Sequence, residues 1–485
     1  MMMAILAQGC YKVDAVYDAD PDENYELPLI LRLNGKDCAF DAETNTLRYS
    51  LTEADAASFE PFVEFQSYSE ITFNNQVLVN GEVNLLGEVE PYEPYNLSIE
   101  SVGTTQTFKL IFTEFPVMQI ITPNRFGDEP KTLARTRIHY PEFSEPTFTS
   151  YIGIERRGNT SQFFPKKPLG FSCVASKYIE DAYSASLFGF DAVENWMLDP
   201  MYYDKSRQRA ASSLEIWRSM AGETHFASPN QTVEVFLNNE YRGLFNLRQN
   251  MTPEFLGLTS PDALLFKGKE WGLNQFYEYD NSPPSVSYWG GWEQDFPLPE
   301  IRLNWEPLRN LSWIVVKANS QEFETQIASA IDIENVIDYY LFINLVYAPD
   351  NLGKNLFLTR ENANEPFKLI PWDLDGTWGL FWDGSPLGHE GILSNGLFSR
   401  LLNENPNNYK QQLKTRWTAL RSGAFSNATL MQVFNEKYER YIESDLIQRE
   451  NAKWEQNIDI EAEKVQLLGW MNARLTYLDA YFENL

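Results

Sequence analysis

The sequence predicts an α+β fold in which an Ig-like β-sandwich precedes a larger mixed part with a helical carboxy-terminal end. Short alternating runs with Asn-Gly turns fill the first quarter of the chain, strand and helix patterns mix after residue 117, and helical periodicity dominates the end. The 485 residues are 43% hydrophobic and 14% aromatic, which is enough apolar side chain to bury the cores of several domains. We divide the chain into residues 1–24, 25–117 and 118–485.

The sandwich is predicted from the alternation of apolar and polar residues in short runs between residues 26 and 116. Two Asn-Gly dipeptides, which begin at Asn34 and Asn80, separate such runs and favour the tight turns of antiparallel hairpins. This part contains no cluster of chemically active side chains. We therefore interpret it as a spacer or as a protein- or glycan-binding module.

The mixed part contains strand patterns, helix patterns and one irregular segment. A hairpin is expected across Asn238–Glu240, and Asp332 is the expected N-cap of a helix over Ile333–Tyr347. The segment Asn281–Pro307, rich in Pro and Trp, is expected to be a long irregular insertion over the surface. Strands are expected in residues 134–140, 149–158, 168–174 and 232–250, and helices in residues 209–221, 333–347, 409–422, 428–443 and 460–481.

Charge and composition exclude several classes of function. The 39 basic residues against 68 acidic ones give a net charge of −29, which repels nucleic acids and anionic membrane surfaces. The three histidines are far apart in sequence, which disfavours zinc sites of the multi-histidine type. No apolar run approaches the ~20 residues that span a bilayer. Any chemistry therefore depends on carboxylates, amides and cations.

The amino terminus resembles the end of a bacterial lipoprotein signal, in which a lipidated cysteine follows a short apolar segment. Met1–Gly9 is uncharged and apolar, and Cys10 is followed by the acidic stretch Asp14–Asn24. The apolar run is short and lacks a basic start, so a terminus without an anchor is the open alternative. The lipoprotein interpretation implies an extracytoplasmic protein of the cell envelope, held to a membrane only through Cys10; secretion is the alternative.

One segment carries the strongest indication of chemistry. After the helix that ends near Tyr347, the acid Asp350 precedes the amide Asn355 by five residues, and Asp373 ends a later apolar strand. In a phosphotransferase the first acid orients the accepting hydroxyl, while the amide and the second acid hold Mg²⁺ against the nucleotide phosphates. The order of these residues favours phosphotransfer.

Each of these residues also has a structural interpretation. Asp350 is suited to capping a turn, Asn355 to satisfying backbone groups, and Asp373 with Asp375 to an Asx-turn or a structural calcium loop before Gly376. A glycosidase that uses paired carboxylates is a further alternative. It does not explain Asn355 or the order of the segments.

The chain resembles the CotH spore-coat family of atypical kinases, because several of its segments match that family's motifs in the same order. Asp350 and Asn355 precede a match to the family's PWDLD motif, and the resemblance covers about residues 151–485. The matching segments are Arg157–Ser161, Phe164–Lys167, Asn195–Arg209, Val235–Arg248, Ile370–Asp375 with Gly379, and Arg474 in the last helix.

The resemblance implies an ATP-dependent phosphotransferase with a protein-kinase-like core and Mg²⁺ or Mn²⁺ as its metal. Its expected acceptor is a Ser, Thr or Tyr hydroxyl on an envelope, surface or coat protein. By matching positions, Asp350 is the catalytic acid and Asn355 and Asp373 are the metal ligands. Asp375 is a further metal candidate or a neighbour of the metal site.

The resemblance also implies cations for the nucleotide. Lys167 is the expected phosphate-binding lysine, and Lys166 is the competing choice. Arg157, Arg209 and Lys267 are further candidates for nucleotide binding, with structural salt bridges as the alternative for the two arginines.

The sequence departs from the expected kinase patterns at two points. It has neither a Walker A motif nor the GxGxxG loop of ordinary protein kinases, so the turn Gly158–Ser161 is expected to cover the phosphates. Gln249 stands where the family has a glutamate, and another acid such as Glu215 would be needed to pair the lysine. A non-catalytic surface adhesion or binding protein with the same fold is therefore the alternative function.

Overall fold

The computed structural model describes residues 31–65, 70–101, 103–141, 147–158, 160–221, 225–285 and 287–485. The predicted tether with Cys10 lies outside the described residues, and so does Asn159 of the predicted phosphate turn. The chain forms two compact units. Unit 1 contains the described residues up to 200 together with 231–249 and 444–456, and unit 2 contains residues 201–230, 250–443 and 457–485. Within the described ranges, no helix is both long and apolar enough to cross a membrane.

The amino-terminal part of unit 1 consists of two β-sheets and one short helix. The elements are β1 (Arg32–Leu33), β2 (Lys36–Asp37), β3 (Ala39–Asp41), β4 (Thr46–Ser50), α1 (Glu53–Ala56), β5 (Phe62–Glu64), β6 (Glu70–Phe73), β7 (Gln76–Val77), β8 (Glu82–Val83), β9 (Pro94–Ser101) and β10 (Thr104–Thr113). One sheet has the order β2-β1-β5-β8 and the other β3-β4-β10-β9-β6-β7. The pair of β4 and β10 is parallel.

Aromatic side chains fill the core of this part. The ring of Phe112 lies between those of Tyr49, Phe59, Phe73 and Tyr95, with centroid distances of 5.3 to 6.5 Å and edge-on contacts. Such a core explains the alternating pattern of the sequence, since every second residue of a strand points inward. The Ig-like identity of this part and the division at residues 24 and 117 stay predictions.

The rest of unit 1 is a closed β-barrel. Its strands are β11 (Val117–Ile121), β12 (Thr132–His139), β13 (Thr147–Arg156), β14 (Leu169–Val174), β15 (Asn195–Asp199), β16 (Asn230–Leu237) and β17 (Glu240–Gln249). The order around the barrel is β11-β12-β13-β14-β15-β17-β16, and the parallel pair of β11 and β16 closes it. Asn238 and Asn239, both with positive φ, form the hairpin turn that the sequence predicts.

Unit 2 combines one antiparallel sheet with most of the helices. The sheet contains β18 (Leu264–Gly268), β19 (Tyr288–Trp289), β20 (Trp292–Phe296), β21 (Leu356–Arg360) and β22 (Lys368–Pro371) in the order β19-β20-β18-β21-β22. The helices are α2 (Arg209–Ala221), α3 (Glu306–Val316), α4 (Ser320–Ala330), α5 (Ile333–Val346), α6 (Gly396–Glu404), α7 (Tyr409–Arg421), α8 (Asn427–Ile442) and α10 (Ile460–Glu483). A further helix, α9 (Leu446–Trp454), belongs to unit 1 and packs against β17.

The central helix of unit 2 is α5, because every residue from Asn335 to Val346 is buried. Its register against the sheet is fixed by the Asn335 side chain, which accepts from the backbone N–H of Leu369 at 2.7 Å and donates to the carbonyl of the same residue at 3.1 Å. Apolar side chains on every side of this helix require such burial, and its buried polar side chains, Asn335, Asp338 and Asn344, are hydrogen-bonded.

The α+β class and the helical carboxy-terminal part are confirmed. The helices expected at residues 209–221, 333–347, 409–422, 428–443 and 460–481 all form, with ends shifted by at most two residues. The irregular insertion expected at Asn281–Pro307 was wrong. Its strands β19 and β20 join the sheet, because Trp289 and Trp292 are only 3% and 1% exposed and pack into the core of unit 2.

Candidate active site

The first acid of the predicted site lies in a turn directly after α5. Asp332 caps the start of α5 as expected, since its side chain accepts from the backbone N–H of Asn335 at 3.1 Å. The helix ends at Tyr347, which has a left-handed φ of 53°, and a 3₁₀ turn over Pro349–Leu352 follows. Asp350 occupies this turn and is half-buried.

The amide and the second acid lie at one end of the hairpin formed by β21 and β22. Leu356 pairs with Pro371, and the backbone N–H of Trp372 donates to the carbonyl of Asn355 at 2.9 Å. Asn355 at the start of β21 and Asp373 after the end of β22 both have a φ of 55°. Asn and Asp tolerate this left-handed conformation better than other residues with a side chain.

A buried amide joins the turn to the hairpin end. The side-chain nitrogen of Asn351 donates to the carbonyl of Asn355 at 2.6 Å and to the carbonyl of Trp372 at 2.9 Å. The carbonyl of Asn351 in turn accepts from the Tyr339 hydroxyl of α5 at 2.8 Å. Asp350, Asn355 and Asp373 are therefore brought together, and we call these three residues the carboxylate–amide site.

Two further buried amides hold the same turn. Asn395, the N-cap of α6, donates from its side chain to the carbonyl of Leu352 at 2.9 Å. The side chain of Asn274 donates to the carbonyl of Gly353. Because these amides satisfy the backbone carbonyls of an irregular segment, the turn keeps one conformation without regular secondary structure.

The side chains of the carboxylate–amide site remain available to a ligand. Within the described part of the chain, none of the three makes a hydrogen bond or an ion pair. Burial raises the pKa of the Asp350 carboxyl, and the nearby negative charge of Asp373 raises it further, whereas Lys354 opposes both effects. Because the charge of Asp373 acts on Asp350, a cation bound between them would be favoured.

The donor set of the carboxylate–amide site fits Mg²⁺ or Mn²⁺, since both are hard cations that prefer carboxylate and amide oxygens. Asn355 and Asp373 are the ligands that would hold the metal. No group of three or more His, Cys, Asp or Glu side chains in metal-binding arrangement occurs among the residues with described positions. One of the three donors in this site is an amide, so the two findings agree.

Asp375 lies beyond the hairpin end and is half-buried. Its carboxylate accepts from the backbone N–H of Gly376 at 2.8 Å, which is the local Asx-type contact that the sequence allowed as an alternative. A role for Asp375 as a metal ligand stays a prediction.

Two cations predicted to bind the nucleotide also belong to unit 2. Arg209 is 1% exposed, with ion pairs to Asp204 at 2.6 Å and to Glu463 at 2.7 Å and a hydrogen bond to the carbonyl of Thr377 at 3.1 Å. These contacts favour the structural role that the sequence left open for this arginine. Lys267, half-buried on β18, lies 5.7 Å from the ring centroid of Phe357.

The remaining predicted cations belong to unit 1. Lys167 is half-buried after β13, and its ammonium donates to the carbonyl of Gln162 at 2.5 Å. Arg157 is half-buried and lies next to Glu155. Burial raises the pKa of the Glu155 carboxyl, and the positive charge of Arg157 lowers it by a smaller amount. The structure thus places Lys167 where a ligand can reach it, in the wall of a cavity of unit 1.

Lys166, the competing choice, is fully buried in an ion pair. Its ammonium contacts the two carboxylate oxygens of Glu450 on α9 at 2.9 and 3.0 Å and also donates to the carbonyl of Leu244. Gln249, which stands where the family has the glutamate expected to pair the lysine, donates to the carbonyl of Asp191 at 2.5 Å. Glu215, the acid suggested as a substitute, pairs with Lys437 at 2.6 Å and not with either lysine, so that suggestion was wrong.

Sequence reasoning did not identify five residues that support the site or its lysine: Asn274, Tyr339, Asn351, Asn395 and Glu450. The only local indication for Asn351 was its position between Asp350 and Asn355. Tyr339 lies within an apolar helix, and Glu450 is 284 positions from its lysine, so no local pattern pointed to either.

Comparison with known families gives one match. The family model described as CotH kinase protein matches residues 154–478, which include the carboxylate–amide site, Lys166, Lys167 and Glu450. A comparison with curated proteins found no match.

Proposed function

The chain belongs to the CotH kinase protein family, and from this premise we propose that it is an active phosphotransferase that transfers a phosphate from ATP to a protein hydroxyl. The acceptor we propose is a Ser, Thr or Tyr side chain of an envelope, surface or coat protein. Mg²⁺ or Mn²⁺ is the proposed metal.

The carboxylate–amide site is the single observation on which this proposal depends. Its three residues lie near one end of the β21–β22 hairpin, and their side chains make no hydrogen bond or ion pair with another described residue. The left-handed backbone at Asn355 and Asp373 suits these residue types, because Asn and Asp tolerate it better than other residues with a side chain.

Each residue of the site has a proposed role. Asp350 accepts the proton of the acceptor hydroxyl, because it matches the position of the family's catalytic acid and because burial raises the pKa of its carboxyl. Asn355 and Asp373 hold the metal, which when bound offsets the negative charge of the nucleotide phosphates. Lys167 is proposed to contact phosphate.

The non-catalytic alternative was motivated by the loss of the glutamate at position 249. The buried pair of Lys166 and Glu450 does not supply this partner to Lys167, whose ammonium donates to the carbonyl of Gln162. Phosphotransfer is the better supported function because the carboxylate–amide site is present.

Activity is tested by incubating the protein with γ-labelled ATP and Mg²⁺ or Mn²⁺ and measuring label in the protein and in a generic acceptor. We expect incorporation by the wild-type protein. Asp350→Asn and Asp373→Asn are expected to lower the rate by about 10² or more, because each removes a group that acts on the reacting atoms or their metal.

The matched control is Glu365→Gln, which removes a carboxylate at the opposite end of the same hairpin. It should leave the rate unchanged. Equal incorporation by the wild type and by Asp373→Asn would contradict the proposal. ATP-dependent stabilisation of the wild type without any transfer would support a binding protein with the same fold.

A further inference from the structure

We propose that a cavity in unit 1 binds a ligand with several phosphate groups through Arg125, Arg156 and Lys167. The cavity has a volume of about 340 Å³, which lies within the ~300–1,000 Å³ typical of small-molecule sites. This inference shares Lys167 with the proposed function but requires no phosphotransfer, so the two can fail separately.

The lining of this cavity is strongly cationic. Five of its residues are Lys or Arg and none is Asp or Glu, although acidic residues outnumber basic ones by 68 to 39 in the whole chain. Concentrating like charges in this way is unfavourable unless an anion compensates them. The five cations are Arg125, Arg156, Lys166, Lys167 and Arg242.

Two of these five charges are already compensated. Lys166 pairs with Glu450 at 2.9 Å in the interior, and Arg242 pairs with Glu240 at 2.9 Å. These two cations therefore form part of the wall and do not add free positive charge.

The other three cations have no carboxylate partner among the residues whose positions are described. Arg125 and Arg156 are exposed, and the guanidinium of Arg156 lies 5.9 Å from the ring centroid of Phe126. Lys167 donates only to a backbone carbonyl. Asp128 of the same loop does not line the cavity, and its carboxylate accepts from the Gln162 side chain at 2.8 Å.

The loop that carries Arg125 is held in place by backbone contacts. The Asn238 side chain accepts from the backbone N–H of Thr122 and donates to the carbonyl of the same residue, both at 2.9 Å. The backbone N–H of Arg156 donates to the carbonyl of Gly127 at 2.5 Å. The two guanidinium groups are thus carried by a fixed backbone, which lowers the entropic cost of binding.

Phosphate is the anion that this set of side chains fits best. Guanidinium groups bind phosphate oxygens through two parallel hydrogen bonds, and an ammonium adds a compact charge. Phe126, Phe245 and Trp454 also line the cavity, so an organic group attached to the phosphates has apolar surface beside it.

The test uses inorganic triphosphate as the probe, with EDTA present, and measures binding by calorimetry and by the rise in melting temperature. We expect the wild type to bind, and Arg125→Ala and Arg156→Ala each to weaken binding about tenfold or more. Arg218→Ala, which removes an exposed arginine of α2 and changes net charge equally, is the control and should bind as the wild type does. Asp373→Asn should also retain binding, whatever its effect on phosphotransfer.

The melting temperature of each variant without ligand shows whether it is folded, and both arginines are exposed, so neither change should unfold the protein. Unchanged affinity of the two arginine variants would overturn the proposal, and so would an equal thermal shift from sodium sulfate at the same ionic strength. Competition between triphosphate and MgATP would identify the nucleotide as the source of the phosphates. Simultaneous binding of both would identify a second phosphate-bearing ligand.

Discussion

At the scale of single residues, Asn351 links the two strands that carry the carboxylate–amide site. It is 1% exposed, and its side-chain nitrogen donates to two carbonyls that belong to opposite strands of the hairpin end. A shorter or apolar side chain leaves both carbonyls without this donor. Asn355 and the segment before Asp373 would then lose their common anchor.

We predict that Asn351→Ala lowers the free energy of unfolding by about 1–3 kcal/mol, because it removes two buried hydrogen bonds. The rate of phosphotransfer should also fall, even at a temperature where the variant is fully folded. Urea unfolding and the labelled-ATP assay measure the two effects. Asn364→Ala, an exposed amide at the far end of the hairpin, should change stability by less than about 0.5 kcal/mol. Full activity of folded Asn351→Ala would contradict the anchoring role.

The residues of the carboxylate–amide site could be predicted from sequence because their relation is local. One hairpin and one turn separate Asp350 from Asp373, so spacing alone places them close together. Their supporting amides could not be predicted in the same way. Asn274 and Asn395 contact the turn only after the sheet and α6 have folded around it.

At the scale of elements, strand β20 contains a half-buried acid, Asp295, whose ionisation destabilises the folded protein. Burial raises the pKa of Asp295 to about 6, and the positive charge of Lys267 only partly opposes this shift. The unfolded chain has the ordinary value of 3.8. Well below pH 3.8 both states are protonated, so the residue has no effect there. As the pH rises to 6 the unfolded state loses its proton first, and stability falls.

Asp295→Asn cannot ionise and should therefore escape this loss. We expect the variant to be more stable than the wild type by about 3 kcal/mol at pH 8 and by less than about 1 kcal/mol at pH 4. Denaturant unfolding at the two pH values measures the difference. A stability difference that does not change with pH would show that ionisation of Asp295 in the native sheet is not its cause.

Some helices with regular periodicity and a capping residue were predicted, whereas the capped helices α4 and α6 were not, and neither were the elements fixed by tertiary contact. The start of α5 follows from Asp332, whose capping bond is local. Strands β19 and β20 form in a segment whose Pro and Trp content indicated irregular structure, because burial of Trp289 and Trp292 outweighs the weak local preference. The local sequence pattern does not show that these two side chains become buried in the core.

At the scale of the whole molecule, residues far apart in sequence complete each compact unit. Unit 1 ends with α9, a segment from the carboxy-terminal part of the chain that packs against β17. Glu450 of α9 accepts from the backbone N–H of Leu244 at 2.5 Å as well as from Lys166. Gly243, which precedes Leu244, has a φ of +97°. A Cβ at this position would collide with the Glu450 carboxylate, so glycine is required. Sequence analysis found neither α9 nor this pair.

The buried pair gives a test of how α9 holds the barrel. Both side chains of Lys166 and Glu450 are fully buried, so removing one partner leaves an uncompensated charge in the interior. We predict that Lys166→Met or Glu450→Gln alone lowers the free energy of unfolding by about 3–5 kcal/mol. The double variant Lys166→Met with Glu450→Gln should lose less than the sum of the single losses, because neither charge then remains unpaired. Chemical denaturation of the four proteins gives the coupling energy. Strictly additive losses would mean that the two groups stabilise unit 1 independently, since a pair that compensates its own charges must show coupling.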